Sequence, residues 1–199
     1  MRFIVTLIGL CLLYFAIIVA FLYIFIKRKE KAVKKEFKEY QVECGTMSEE
    51  ELLGIEGTEE LVETVERRIE LKVSAYENLE KGFACLSEPE QTVYVLYDYY
   101  DNLFLADFFE SDKREICVPR FSECLARVGA YEYQKAFDTL MYEHNVDLFD
   151  LSRYAGHGKN KKNKDTNREV FEQFDSMVED LPMLDEWLAK YIRENISYF

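Results

Sequence analysis

Phe3 to Ile26 reads FIVTLIGLCLLYFAIIVAFLYIFI, 24 consecutive residues without a charge. A helix of that length crosses a hydrocarbon core of about 30 Å with some tilt. A core helix of a globular domain keeps a polar face, and this segment has none. Residues 1–26 are therefore expected to form a transmembrane anchor. A cleaved signal peptide fits less well. Its apolar core is roughly 7–15 residues long, its basic residues come first, and a small-x-small cleavage pattern follows. Here Lys27, Arg28, Lys29 and Lys31 come after the apolar run, joined by Lys34, Lys35 and Lys38, and only Arg2 flanks the other end. The positive-inside rule then predicts a single-pass protein of the cell membrane, held in lipid through residues 3–26, with its carboxyl-terminal part in the cytoplasm. Residues 27–47 are expected to form a basic juxtamembrane stalk, which is also placed to meet anionic headgroups.

Beyond the anchor the charge reverses. The chain carries 25 Lys or Arg and 38 Asp or Glu, a formal net charge of -13. Residues 1–38 hold eight basic and two acidic residues, so residues 39–199 hold the other 17 and 36, a net of -19. Direct binding to nucleic acid is disfavoured, because phosphates repel such a surface. The same field attracts basic proteins and speeds their docking.

The whole chain has 8 glycines, 3 prolines, 15 phenylalanines and 14 tyrosines, and 10 of those phenylalanines and 12 of those tyrosines fall in residues 39–199, the composition of a packed domain and not of a disordered tail. No alternating pattern appears, so the fold class expected is all-α, a helical bundle of six or seven helices over residues 48–199. Ser48 and Glu51 have capping-box spacing and open a short helix ending near Gly54. A long helix is expected over 58–82, with a stripe of Leu61, Val65, Ile69, Lys72, Tyr76 and Leu79. Ser87, Pro89 and Glu90 start another, running to about Phe109 with Val93, Leu96, Tyr97, Tyr100, Phe104 and Phe108 facing inward. Asp98, Asp101 and Leu105 fall outside that stripe. Residues 110–117 read as a loop, Pro119 as a helix start, and Gly129 as a break before a helix over Ala130 to Glu143. Gly156 to Arg168 has no apolar residue and reads as an exposed basic loop. Further helices follow over Val170 to Met177 and from Leu181 or Pro182 onward, the last with a Leu184, Trp187, Leu188, Tyr191 and Ile192 stripe.

Signs of chemistry are few. The two histidines, His144 and His157, belong to no metal-binding or catalytic motif. The five cysteines, at 11, 44, 85, 117 and 124, show no C-x-x-C, and Cys117 and Cys124 read as inert buried thiols. Asp107 is the carboxylate of most interest, expected to be buried or paired with Arg127 or Lys135. No enzyme activity, metal or cofactor is expected.

Three segments in order, YVLYDYYDNLFLADFFESD (94–112), LARVGAYEYQKAFD (125–138) and FEQFDSMVEDLPMLDEWLAKYIREN (171–195), resemble the bacterial DMP19-like (DUF4375) family. Phe104, Phe108, Phe109, Gly129, Trp187 and Tyr191 carry the motif core, while Asn102-Leu103 stand where the family has a glycine pair. The resemblance covers about residues 87–195. It implies an all-helical acidic domain and, from the family's founding DNA-mimic member, carboxylates arranged like duplex phosphates that occupy a DNA-binding protein. The acidic surface so implied is Asp98, Asp101, Glu110, Asp112, Glu115, Glu179, Asp180, Asp185 and Glu186. The expected function is thus a membrane-anchored acidic binding module with a basic protein partner, by DNA mimicry of a DNA-binding regulator. The alternative is an envelope-associated adaptor or immunity-type protein that binds by shape and apolar contacts. An uncharacterised enzyme ranks third.

Overall fold

Two serines begin helices by the same device. The Ser48 and Ser87 side chains each accept from the backbone N–H three residues on, and Glu51 and Glu90 reach back to the serine N–H groups at 2.7 and 2.8 Å. These caps open α1 (Glu49–Leu53) and α4 (Glu88–Asn102). The computed structural model describes residues 46–151 and 161–199, which belong to one compact unit, Cys44–Phe199. The expected anchor over 1–26 and nearly all of the stalk, with Lys27, Arg28, Lys29 and Lys31, lie outside the described residues. No helix among the described residues is long and apolar enough to cross a membrane.

These residues are helical throughout, without a strand. Between α1 and α4 lie α2 (Thr58–Ser74) and α3 (Leu79–Ala84). After α4 come α5 (Leu105–Glu110), α6 (Arg114–Cys117), a 3₁₀ turn at Val118–Arg120, α7 (Phe121–Val128), α8 (Tyr131–Glu143), α9 (Lys161–Val178) and α10 (Leu184–Glu194). A last 3₁₀ turn, Ile196–Tyr198, packs on α1.

Helix α4 is the hub, contacting α2, α5, α6, α7 and α10, and α10 closes the bundle by packing along α2. A nest of aromatic rings fills the centre. Tyr99, Phe108 and Phe121 lie 4.9–5.8 Å apart, and Phe137 and Phe174 continue the cluster through edge-on contacts. Rings tilted in this way place positive edges on negative faces.

Several expected boundaries shift. The helix expected over 58–82 is two helices. Asn78 caps α3 by accepting from Glu80 N–H at 2.7 Å, and α3 folds back on α2 at Gly82. A Cβ there would stand 2.6 Å from the Val73 carbonyl oxygen, so the approach requires glycine. Tyr76, past the end of α2, is exposed. Lys72 stays on α2 and forms an ion pair with buried Glu90. The helix expected to reach Phe109 turns at Leu103. The segment expected as a loop over 110–117 includes α6, and the basic loop expected over 156–168 is helical from Lys161 onward. No glycine or proline occurs between Gly158 and Pro182, so nothing in the sequence stops α9 from extending that far back. Gly129 ends α7 in the left-handed conformation, φ +84°, as a helix-terminating glycine does.

Candidate functional site: a groove at the α4–α5 bend

The bend between α4 and α5 rests on an unusual residue. Leu103 has φ +62°, in the left-handed region that favours glycine, yet it carries a branched side chain. The turn is held by the Leu103 N–H, shared between the Tyr99 and Tyr100 carbonyls. The Asn102 amide also donates to the Asp98 carbonyl. On the far side Asp175, from α9, accepts the Leu105 N–H at 3.1 Å and so caps the start of α5.

This geometry pushes two apolar side chains outward. Leu103 is 71% exposed and Phe104 is 55% exposed, so Phe104 is not the core residue its motif position suggests. The reason is register. The break rotates the helical stripe, and Leu105, expected outside it, becomes buried while Phe108 and Phe109 keep their core places. Beside the bend lies an open groove of about 410 Å³. Its apolar wall includes Leu103, Phe104 and Met183, the last also 61% exposed. Its polar groups are Asp175, Ser176, Glu179 and the Tyr133 hydroxyl, which donates to the Pro182 carbonyl at 3.1 Å. No described residue of the lining is a cation.

The groove's electrostatics are one-sided. Burial, followed by the charges of Asp107 and Glu172, pushes the Asp175 carboxyl up, although the Leu105 hydrogen bond opposes this. Burial first, then Asp185, raises Tyr133. Burial and then the Asp185, Glu59, Glu63 and Asp101 charges raise Tyr100. Tyr100 thereby marks a place where Asp101 and Asp185, two of the acids expected at the surface, act on one group.

The other expected acids divide. Asp101, Asp112, Glu179, Asp180 and Glu186 are exposed and form no ion pair among the described residues. Asp185 is half-buried and its carboxylate accepts the Glu186 N–H. Glu110 is exposed, and Glu115 is exposed and pairs with Arg114 at 3.4 Å. Asp98 is a correction. It is only 7% exposed, because α5 and α6 fold over that face of α4, and its carboxylate accepts from Ser111 Oγ at 2.9 Å. Asp107 is a second correction. It is exposed, while Arg127 pairs with Glu88 and Glu123. Trp187 and Tyr191 are half-buried, and the Trp187 ring approaches the Gly129 backbone.

No protein-family model matches the chain, and no curated protein or solved structure does.

A second polar centre lies under the surface between α2, α4 and α6. Lys113 forms an ion pair with Glu70 and stands 4.5 Å from the centroid of the buried Tyr94 ring. Glu66 is 9% exposed. Burial and then the Glu70 charge hold its carboxyl at about 7, despite Lys113 and Arg67. Burial likewise raises Asp98. The thiols of Cys117 and Cys124 are free and buried; burial carries Cys117 well up and Cys124 to about 12, which leaves them protonated and inert. No cluster of His, Cys, Asp and Glu with metal-binding geometry occurs among the described residues.

Neither Leu103 nor Asp175 stands out as a site residue by composition or spacing. The signals available were the Asn102-Leu103 pair, at the place where the resembled family carries glycines, and the Phe174-Asp175 pair within the resembling segment 171–195.

Proposed function

We propose that this chain is a membrane-anchored, cytoplasmic, acidic helical module that binds a basic protein partner. One observation carries the reading. Asp101, Asp112, Glu179, Asp180 and Glu186 stand exposed on helices or near their ends and form no ion pair among the described residues. Carboxylates left open in this way gain most from an incoming Lys or Arg, and they raise the rate at which a basic protein docks. The net of -19 over residues 39–199 works in the same direction.

DNA mimicry is the specific version. Its support is the DMP19-like resemblance, and the backbone at Leu103 agrees with it in one detail: the positive φ found there is the kind a glycine supplies. The adaptor reading has its own support in the outward-facing Leu103, Phe104 and Met183, since exposed apolar patches mark contact surfaces.

One experiment separates the two. The full-length chain in lipid nanodiscs is used as bait, and the retained proteins are challenged with duplex DNA. Mimicry predicts that a DNA-binding protein is retained and that saturating DNA releases it. A partner that survives DNA but leaves a Phe104→Ala bait supports the adaptor. Retention of no basic protein at low salt refutes the module itself.

A further inference from the structure

The groove at the α4–α5 bend combines features that a plain acidic surface does not need. A branched residue occupies a left-handed backbone position, and its side chain gains no burial in exchange. Strain of that kind persists where it places a group for use. Phe104 and Met183 are exposed beside it. The volume of about 410 Å³ falls within the range of ligand clefts and exceeds that of one bulky side chain. Asp175 is half-buried at the edge, with Oδ1 engaged by Leu105 N–H and Oδ2 unbonded among the described residues. Among the described residues the charged groups acting on it are Asp107 and Glu172, both acidic, and Glu179 joins the lining. Among the described residues the charged groups of the lining are the carboxylates Asp175 and Glu179, and an apolar floor with such a rim matches an apolar side chain flanked by cations.

We propose that this groove is a docking site for a short hydrophobic-basic segment of a partner protein. A bulky apolar side chain inserts against Leu103, Phe104 and Met183, and neighbouring Lys or Arg residues pair with Asp175 and Glu179. The proposal rests on the reading of the chain as an acidic binding module and names the part of the partner that the module holds. Acidic segments are disfavoured by the rim, since a like charge brought beside a half-buried carboxylate is repelled, and uncharged segments gain only the apolar contact. An aromatic anchor in a groove with polar contacts around it is the usual anatomy of a binding hot spot.

The test uses the full-length chain in nanodiscs of neutral phosphatidylcholine. Three fluorescein-labelled peptides share the core Ala-Leu-Trp-Leu-Ala and differ in flanks of two lysines, two serines or two glutamates on each side. Anisotropy titration should show the lysine-flanked peptide binding at least about tenfold more tightly than the serine-flanked one, with no binding of the glutamate-flanked one. Phe104→Ala should weaken the lysine-flanked peptide about tenfold, with circular dichroism unchanged because Phe104 is exposed. Glu179→Lys should weaken the same peptide and leave the serine-flanked one unaltered. Leu103→Gly supplies the control for folding: affinity should fall while thermal stability does not.

Equal affinity of the three peptides overturns the proposal, as does lysine-peptide binding that Phe104→Ala leaves intact. Conversion of a dimer into a monomer by Phe104→Ala would assign the groove to a second copy of this chain and also overturn it. Failure here is distinct from failure of the module reading. If the nanodisc bait still retains a basic protein that Phe104→Ala does not release, the groove assignment falls and the module stands.

Discussion

Raising the pH should cost this fold stability through one side chain, Glu66. It sits in the middle of α2, 9% exposed, facing Glu70, Arg67, Lys113 and Asp101. Lys113 is already engaged by Glu70, so the extra negative charge of ionised Glu66 meets little compensation. In the unfolded chain the carboxyl titrates at its ordinary 4.5, and in the fold at about 7. Below 4.5 both states hold the proton, and there is no penalty. Between 4.5 and 7 the fold keeps a proton that the unfolded chain has lost, so unfolding becomes easier as pH rises. Above 7 the penalty is complete, about 3 kcal/mol. Burial moves the Asp98 and Asp175 carboxyls in the same direction. Lys113 is raised in the fold, and its contribution is fully present below the ordinary 10.5, so it stays constant across this window.

The assay is urea unfolding followed by the fluorescence of Trp187, the single tryptophan of the chain. Between about pH 5 and pH 8 the wild type should lose roughly 2–3 kcal/mol from this group. Glu66→Gln keeps the shape and removes the titration. It should be the more stable protein at about pH 8 and should lose most of the pH slope. Equal slopes for Glu66→Gln and wild type would refute the reasoning.

Gly82→Ala should destabilise by about 1–3 kcal/mol in thermal melts, because its Cβ would meet the Val73 backbone oxygen and force α3 off α2. Phe121→Ala, which removes a fully buried ring in contact with Tyr99, Phe108 and Phe137, should cost about 3–5 kcal/mol by urea titration. Leu103→Gly should stabilise by about 1 kcal/mol in the same titration, since glycine takes φ +62° without the clash that leucine bears. Asp175→Ala removes the acceptor for the Leu105 N–H and should cost about 1 kcal/mol, read in thermal melts.

What the sequence discloses is local. The capping boxes at Ser48 and Ser87 are legible because serine and glutamate three residues apart act on one turn. Gly129 and the stripe of α10 are legible for the same reason, and the all-helical class follows from the periodicity. The bend at Leu103 is hidden, because neither asparagine nor leucine at this place marks a positive φ as a glycine would. The split at Ala75 is hidden too, since it depends on α3 returning to α2 across Gly82. Asp98 looks like a surface acid on a two-faced helix, but α4 is covered on more than two sides, and only the path of α5 and α6 reveals that. The groove was beyond sequence reasoning because Phe104 from α4–α5 and Asp175 from α9 meet only after the chain has folded.

The closing of the bundle by α10 has a consequence for how the protein is made. The first long helix of the described fold, α2, packs on α3 and α4 and receives the rest of its cover from α10, more than a hundred residues later in the chain. While the ribosome is still elongating, the hub helix α4 and α2 stand with apolar faces open to solvent. Contacts of such separation slow folding and lengthen the time an emerging chain can aggregate. Chains truncated before Leu184 should therefore be poor soluble domains, and a holding chaperone would find its binding surface on α2 and α4 until the final turn of α10 arrives.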